Sequence, residues 1–152
     1  MAVVQDIYNA APATGFPGMV ANGETSNRIS RTVEDAAGIA FGKPVFAGAG
    51  DRGCTATVKT ADDFLGFVIA DHGQPVLPGG VGPDIVPQYQ SAGILALGAI
   101  DVVAQGAVTD RAPAFIDAAT GGITATANGN IATGFRFDDT AANGAIVRVV
   151  RR

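Results

Sequence analysis

The chain has 152 residues, 47% apolar and 16% charged, with a net charge of −4 and a mean hydropathy of +0.28. That length suits one domain with a real core, and the hydropathy excludes an intrinsically disordered chain. No stretch approaches the roughly 18 consecutive apolar residues of a membrane-spanning helix, and ten basic against fourteen acidic residues argue against the basic face of a nucleic-acid binder.

Residues 1–27 carry Pro12, Gly15, Pro17, Gly18 and Gly23, which interrupt both helical and strand patterns. Ile7, Tyr8, Phe16, Met19 and Val20 are apolar anchors spaced along this stretch, unlike a flexible linker, which is mostly polar. The segment reads as an extended arm lying on its own domain or on a neighbour, with an ordinary N-terminal strand and loop as the alternative. It lacks the basic start and long apolar run of a signal peptide. Cys54 is the only cysteine, so no internal disulfide is expected, and assembly in a reducing cytoplasm is implied.

Beyond residue 27 the expected elements are strands. Val and Ile together number 27 and Leu only 4, while Glu, Lys and Met number two each. Such a composition fits a pleated surface better than a helix. Residues 28–36 alternate as a half-buried strand. Residues 38–47 form a second, in which Pro44 removes a ladder donor and implies an edge or a bulge. A turn over 48–53 leads to a short strand at 55–58 and an apolar strand at 64–70. Residues 74–88, with four prolines and Val76, Leu77 and Val81 among them, read as a long loop without secondary structure; loops of that length usually serve an interface or a function. From Gly93 the run ILALGAIDVVAQG gives one or two strands with a bend at Gly98. Further strands are expected at 114–118, 123–127, 131–137 and 145–150, with Asn128-Gly129 signalling a type I′ hairpin. The only helix candidates are very short, around 60–64 and 140–143. Turn signals every 8–12 residues predict an all-β fold, a small β-sandwich or barrel of jelly-roll-like type, with the arm at 1–27 and a single β domain at 28–152.

Motifs with chemical potential are few. Gly48-Ala49-Gly50-Asp51-Arg52-Gly53 matches GxGxxG, but a dinucleotide site needs a helix at the third glycine. The next residues, CTATVKT, are unhelical, so a glycine-rich turn is expected. Cys54 and His72 could in principle form a nucleophilic pair, although a lone histidine in Asp71-His72-Gly73 reads more simply as a turn residue. One His and one Cys cannot fill a zinc site. Asp62-Asp63 and Asp138-Asp139 lack the spacing of a calcium loop and read as solvated turn acids. Arg148, Arg151 and Arg152 suit ion pairs or an interface. Neither a catalytic residue, a metal nor a cofactor is expected.

Several segments, in order, resemble the head decoration or cement proteins of tailed bacteriophages. They are Ile39-Ala40-Phe41-Gly42-Lys43-Pro44-Val45, Gly66-Phe67-Val68-Ile69-Ala70-Asp71-His72, Val102-Val103-Ala104-Gln105-Gly106, Asp117-Ala118-Ala119-Thr120-Gly121-Gly122-Ile123-Thr124 and Val147-Arg148-Val149. The resemblance runs from about residue 15 to 150. It implies a compact β domain on the outside of an HK97-like shell, clamping neighbouring major capsid protein subunits, usually as a dimer or trimer. It brings no catalytic residues, and neither nucleic acid nor membrane as a partner. The expected contact residues are Ile7, Tyr8, Phe16, Met19, Val20, Val76, Leu77 and Val81. A tail or fibre protein and, further off, a small β-barrel ligand carrier are the competing readings.

Overall fold

Strands form where β-branched residues alternate with polar ones, and glycine or proline punctuates them. The computed structural model describes residues 15–21, 23–73 and 81–152. The strands are β1 (Asn27–Val33), β2 (Ile39–Ala40), β3 (Pro44–Ala47), β4 (Gly53–Thr55), β5 (Phe64–Val68), β6 (Ile85–Val86), β7 (Ser91–Val103), β8 (Pro113–Ile116), β9 (Ile123–Thr124), β10 (Ile131–Phe137) and β11 (Ile146–Arg151). A single 3₁₀ turn, Ala61–Asp63, is the one helical piece among the described residues. The all-β expectation holds.

One sheet takes nine of these strands in the order β1-β4-β3-β5-β7-β11-β10-β8-β9, and β1 also pairs with β7. That extra pairing closes β1, β4, β3, β5 and the first half of β7 into a ring. Thr32 and Val33 of β1 run parallel to Gly53 and Cys54 of β4, while the other ladders of the ring are antiparallel. The second half of β7 pairs with β11 from Gly98 to Val103. The sheet then curls through β10, β8 and β9 until Ile123 bridges back to Ala104 just past the end of β7. β7 thus serves both halves, and it changes partners at Gly98, whose φ of 124° supplies the bend.

Two cores result. The smaller lies within the first ring around Val33, Val45, Cys54, Val68, Ala92 and Ile94, with Ile39, Phe41 and Val86 added from the ring's end. The larger gathers Ile100, Val102, Ile123, Phe135, Phe137, Val147 and Val149 from the second half, together with Phe67 and Leu95. Successive strand residues point to opposite faces. Val68 and Ile94 therefore enter the small core, and their neighbours Phe67 and Leu95 enter the large one. At Phe67–Val68 and Ile94–Leu95, β5 and β7 are buried on both faces. Phe67 meets Phe135 edge-to-face at a centroid distance of 5.0 Å, fastening the second half of the sheet to the first ring.

Three local expectations are corrected. The stretch 38–47 is two strands, not one, because the chain turns at Gly42 (φ 73°) between β2 and β3. Pro44 opens β3, and the accompanying irregularity falls one residue later, between Val45 and Phe46. The Pro/Gly loop contains ordered structure: Ile85 and Val86 pair antiparallel with Ala40 and Ile39. Asn128-Gly129 does form a turn, with the Asn130 N–H donating to the Ala127 carbonyl at 3.1 Å. Only Gly129 has positive φ there, whereas type I′ demands it of both central residues. The strands it joins do not pair with each other, since β8 lies between β9 and β10.

Candidate docking groove

The segment 15–21 is stitched to the chain's own β domain. The Gly18 N–H donates to the Asp101 carbonyl at 2.8 Å, the Asp101 N–H to the Met19 carbonyl at 2.9 Å, and the Ala21 N–H to the Ala99 carbonyl at 2.9 Å. The Ala70 N–H, just past β5, donates to the Gly18 carbonyl at 2.8 Å. Val20 pairs with Ile100 and packs on the larger core. The segment also covers Asp101, whose side chain is buried and accepts from Arg148 Nε at 3.3 Å. Burial pushes the Asp101 carboxyl above its ordinary range, and the Arg148 guanidinium partly offsets this.

This stitching sets Phe16 and Pro17 beside the turn between β2 and β3. The imidazole of His72 lies edge-on to the rings of Phe16 and Phe41, with centroids 5.2 and 5.5 Å away. Phe16, Pro17, Ala40, Phe41, His72 and Val103 wall an apolar groove of about 380 Å³, also lined by Lys43 and Asp84. A hollow of about 170 Å³ shares Pro17, Phe41, Lys43 and Val103 and adds Gly121, Gly122 and Ile123. Another of about 220 Å³ shares Ala40 and Lys43 and reaches Thr120 and Gly121. Lys43 lines all three. Its ammonium has no hydrogen bond or ion pair among the described residues. Phe16 and Val103, 43% and 44% exposed, are two of the three large apolar residues most open to solvent among those described; the third, Tyr89, lies outside the groove.

Of the contact residues expected from sequence, Phe16 lines the groove, and Met19 and Val20 are half-buried beside it. Val81 is half-buried ahead of β6. Ile7, Tyr8, Val76 and Leu77 lie outside the described residues. Sequence reasoning missed Phe41, Lys43 and Val103 as surface-forming residues. Val103 carried a signal: Ile100 and Val102 face the core, so period-2 alternation turns Val103 away from it.

The other chemical candidates resolve into structural roles. The GxGxxG stretch is the turn between β3 and β4, and the N–H groups of Gly48, Ala49, Gly50 and Gly53 are already taken. Ala49 N–H donates to Glu34 Oε2 at 2.7 Å and Gly50 N–H to Glu34 Oε1 at 2.8 Å. A phosphate would compete with the chain's own carboxylate. These bonds hold the Glu34 carboxyl below its ordinary value of 4.5. Its stabilising contribution is therefore fully present above that value and is lost as pH falls through the lower, folded one. Glu34→Gln is expected to narrow the gap in melting temperature between pH 7 and pH 3, and ATP is expected to leave the native protein's melting unchanged. An identical pH gap in the two proteins, or a melting shift of several degrees with ATP, would show that this turn is not closed by Glu34.

Cys54 is fully buried in the smaller core, and desolvation pushes its thiol up to about 11. It stays protonated at neutral pH, while His72 stands exposed against Phe16 and Phe41, so the two form no nucleophilic pair. Asp63 accepts from the Thr60 hydroxyl at 2.7 Å in the 3₁₀ turn. Arg152 reaches Glu24 at 2.7 Å and Asp138 at 3.9 Å. Asp117, within the 117–124 segment, accepts from the N–H groups of Ala119 and Thr120 at 2.8 and 3.0 Å and so shapes that turn. Among the described residues no group of three or more His, Cys, Asp or Glu side chains could hold a metal ion.

A β module whose polar motifs bind its own turns, and which leaves an apolar groove open, has the makings of a structural component. The profile of the structural cement protein family (E217 gp24/Pam3 gp6) matches residues 4–152. The chain belongs to this family of phage cement proteins, as its ordered segments suggested. Among solved structures it is similar to a chain of the capsid of Myoviridae phage XM1, with a TM-score of 0.67 and 17% identity over 98% of this chain and 97% of that one. The N base of head fibre gp8.5 of bacteriophage phi29 aligns with a TM-score of 0.47 and 12% identity over 84% of this chain and 95% of that one. Comparison with curated protein sequences gives no match.

Proposed function

We propose that this protein decorates the outer surface of an HK97-like capsid, clamping neighbouring major capsid protein subunits as a dimer or trimer, and that it acts without catalysis. The family match over residues 4–152 carries this reading. The open apolar groove supports it, because exposed apolar patches mark surfaces built to be covered. In this reading the N-terminal arm takes part in attachment: Phe16 does so at the groove, and Ile7 and Tyr8 further out on the capsid. Val76, Leu77 and Val81 add contacts from the Pro/Gly loop.

The test is reconstitution on undecorated heads. Purified protein is expected to co-sediment with them to saturation at hundreds of copies per particle and to raise the temperature at which the shells break. Attachment is expected to survive about 1 M salt. Exposed ion pairs contribute only roughly 0–1 kcal/mol each and are screened at that strength, whereas apolar burial is not. Failure to bind heads would end this reading. Binding of only a few copies at one vertex would favour a tail or fibre role instead.

A further inference from the structure

Resting on that reading, we infer that the groove formed by Phe16, Phe41, His72 and Val103 receives an extended segment of the major capsid protein in which a large apolar side chain lies beside a single carboxylate. The apolar side chain enters the hollow of about 380 Å³, a volume within the roughly 300–1,000 Å³ of sites that enclose small organic groups. The carboxylate pairs with Lys43.

Four observations converge on this occupant. Exposed apolar surface is concentrated at the groove, where Phe16 and Val103 stand far apart in sequence yet line one hollow. Lys43 lines this hollow and both smaller ones, and its ammonium is unpaired among the described residues. It is one of only two lysines in a chain of net charge −4, so the groove offers a local cation on an acidic protein. A charge-assisted bond next to excluded water is stronger than one between neutral groups. Asp84 lines the same groove and repels a run of acids, so one carboxylate directed at Lys43 is selected over an acidic tract. Finally, the walls are formed in advance. The bonds of Gly18 to Asp101 and Ala70 hold Phe16 and Pro17 in place, and the Gly42 N–H donates to the Val68 carbonyl at 2.9 Å beneath Phe41. A site already ordered loses little entropy when it is filled.

Lys43→Glu and Val103→Asp, two exposed substitutions, are compared with wild type and with Tyr89→Ser, which alters an exposed apolar residue away from the groove. Each protein is first melted, and its oligomeric state is measured by sedimentation. Its affinity for undecorated heads is then measured by co-sedimentation. Lys43→Glu and Val103→Asp are expected to weaken head binding at least about tenfold, with melting and oligomeric state unchanged, while Tyr89→Ser binds as wild type does. Lys43→Met is expected to bind more weakly than wild type and to depend less on salt below about 0.2 M than wild type is expected to. Wild-type affinity in both groove variants would overturn the inference while leaving the cement reading intact. A changed oligomeric state with unchanged head binding per oligomer would overturn it in favour of a second copy of this chain as occupant. Failure of wild type itself to bind would remove the inference along with the cement reading.

Discussion

Gly66→Ala is expected to destabilise the protein by at least about 3 kcal/mol, enough to lower its melting temperature by roughly 10 °C or to prevent soluble expression. Gly66 has φ 139°, a region essentially closed to residues with a side chain. On β3, Val45 faces Gly66 and the next residue, Phe46, faces Phe64, so Leu65 is an extra residue in β5. The bulge brings the backbone of β7 against Gly66. A Cβ there would overlap the Leu95 carbonyl oxygen, lie 2.7 Å from its carbon, and stand 3.0 Å from Ile94 Cγ2. The obstacle is backbone in a strand buried on both faces, so it cannot swing aside. Gly129 provides the comparison: its φ is 72°, yet nothing lies within 4 Å of its would-be Cβ. Gly129→Ala is expected to cost only about 1–2 kcal/mol, the ordinary penalty for a left-handed residue. Thermal unfolding followed by circular dichroism separates the two, and equal melting would refute the account of the bulge.

Phe135→Ala is expected to cost about 3–5 kcal/mol, the usual range for removing a buried aromatic ring. For a chain of this size that is a fall of roughly 6–20 °C in melting temperature. The ring is 1% exposed and meets Phe67 at 5.0 Å and Phe64 at 6.4 Å, both edge-to-face. It sits where the second half of the sheet closes over the outer face of β5, so its loss leaves a cavity between the two halves instead of inside one. Phe16→Ala, at an aromatic ring of the same size but 43% exposed, is expected to cost under about 1 kcal/mol. If the two variants melt together, the Phe64–Phe67–Phe135 cluster does not join the halves.

The strands were legible because each rests on local pattern. β10 has the predicted bounds, and its buried and exposed positions alternate from Ala132 to Phe137. The bend at Gly98 was visible as a glycine inside an apolar run. The ring was not legible, because it depends on Asn27–Thr32 pairing with Ser91–Leu97, and no local pattern encodes a partner so far along the chain. The groove escaped for the same reason: Phe16, Phe41, Lys43, His72 and Val103 come from four separate segments. Met19 and Val20 read as apolar anchors, but apolarity alone does not say whose surface they cover, and here the nearest is the chain's own β7. Glu34 had no sequence signal as the partner of the GxGxxG turn, since a carboxylate fifteen residues upstream matches no motif.

The sharing of β7 between two cores also governs the order in which the protein can fold. β1 cannot close its ring until residues 91–97 exist, and β11, which also pairs with β10, is tied to the first ring only through residues 98–103 of β7. During synthesis the first ninety residues hold β3, β4 and β5 as a small unclosed sheet, with the apolar faces of Val45, Cys54 and Val68 uncovered. Closing loops of this length before any contact is gained is slow, and folds dominated by such pairings take milliseconds to seconds. The nascent chain can therefore close the smaller core once residues 91–97 have left the ribosome, whereas the larger core waits for Phe135, Phe137, Val147 and Val149 near the C-terminus, and a fragment ending before Ser91 lacks the strand that both cores share.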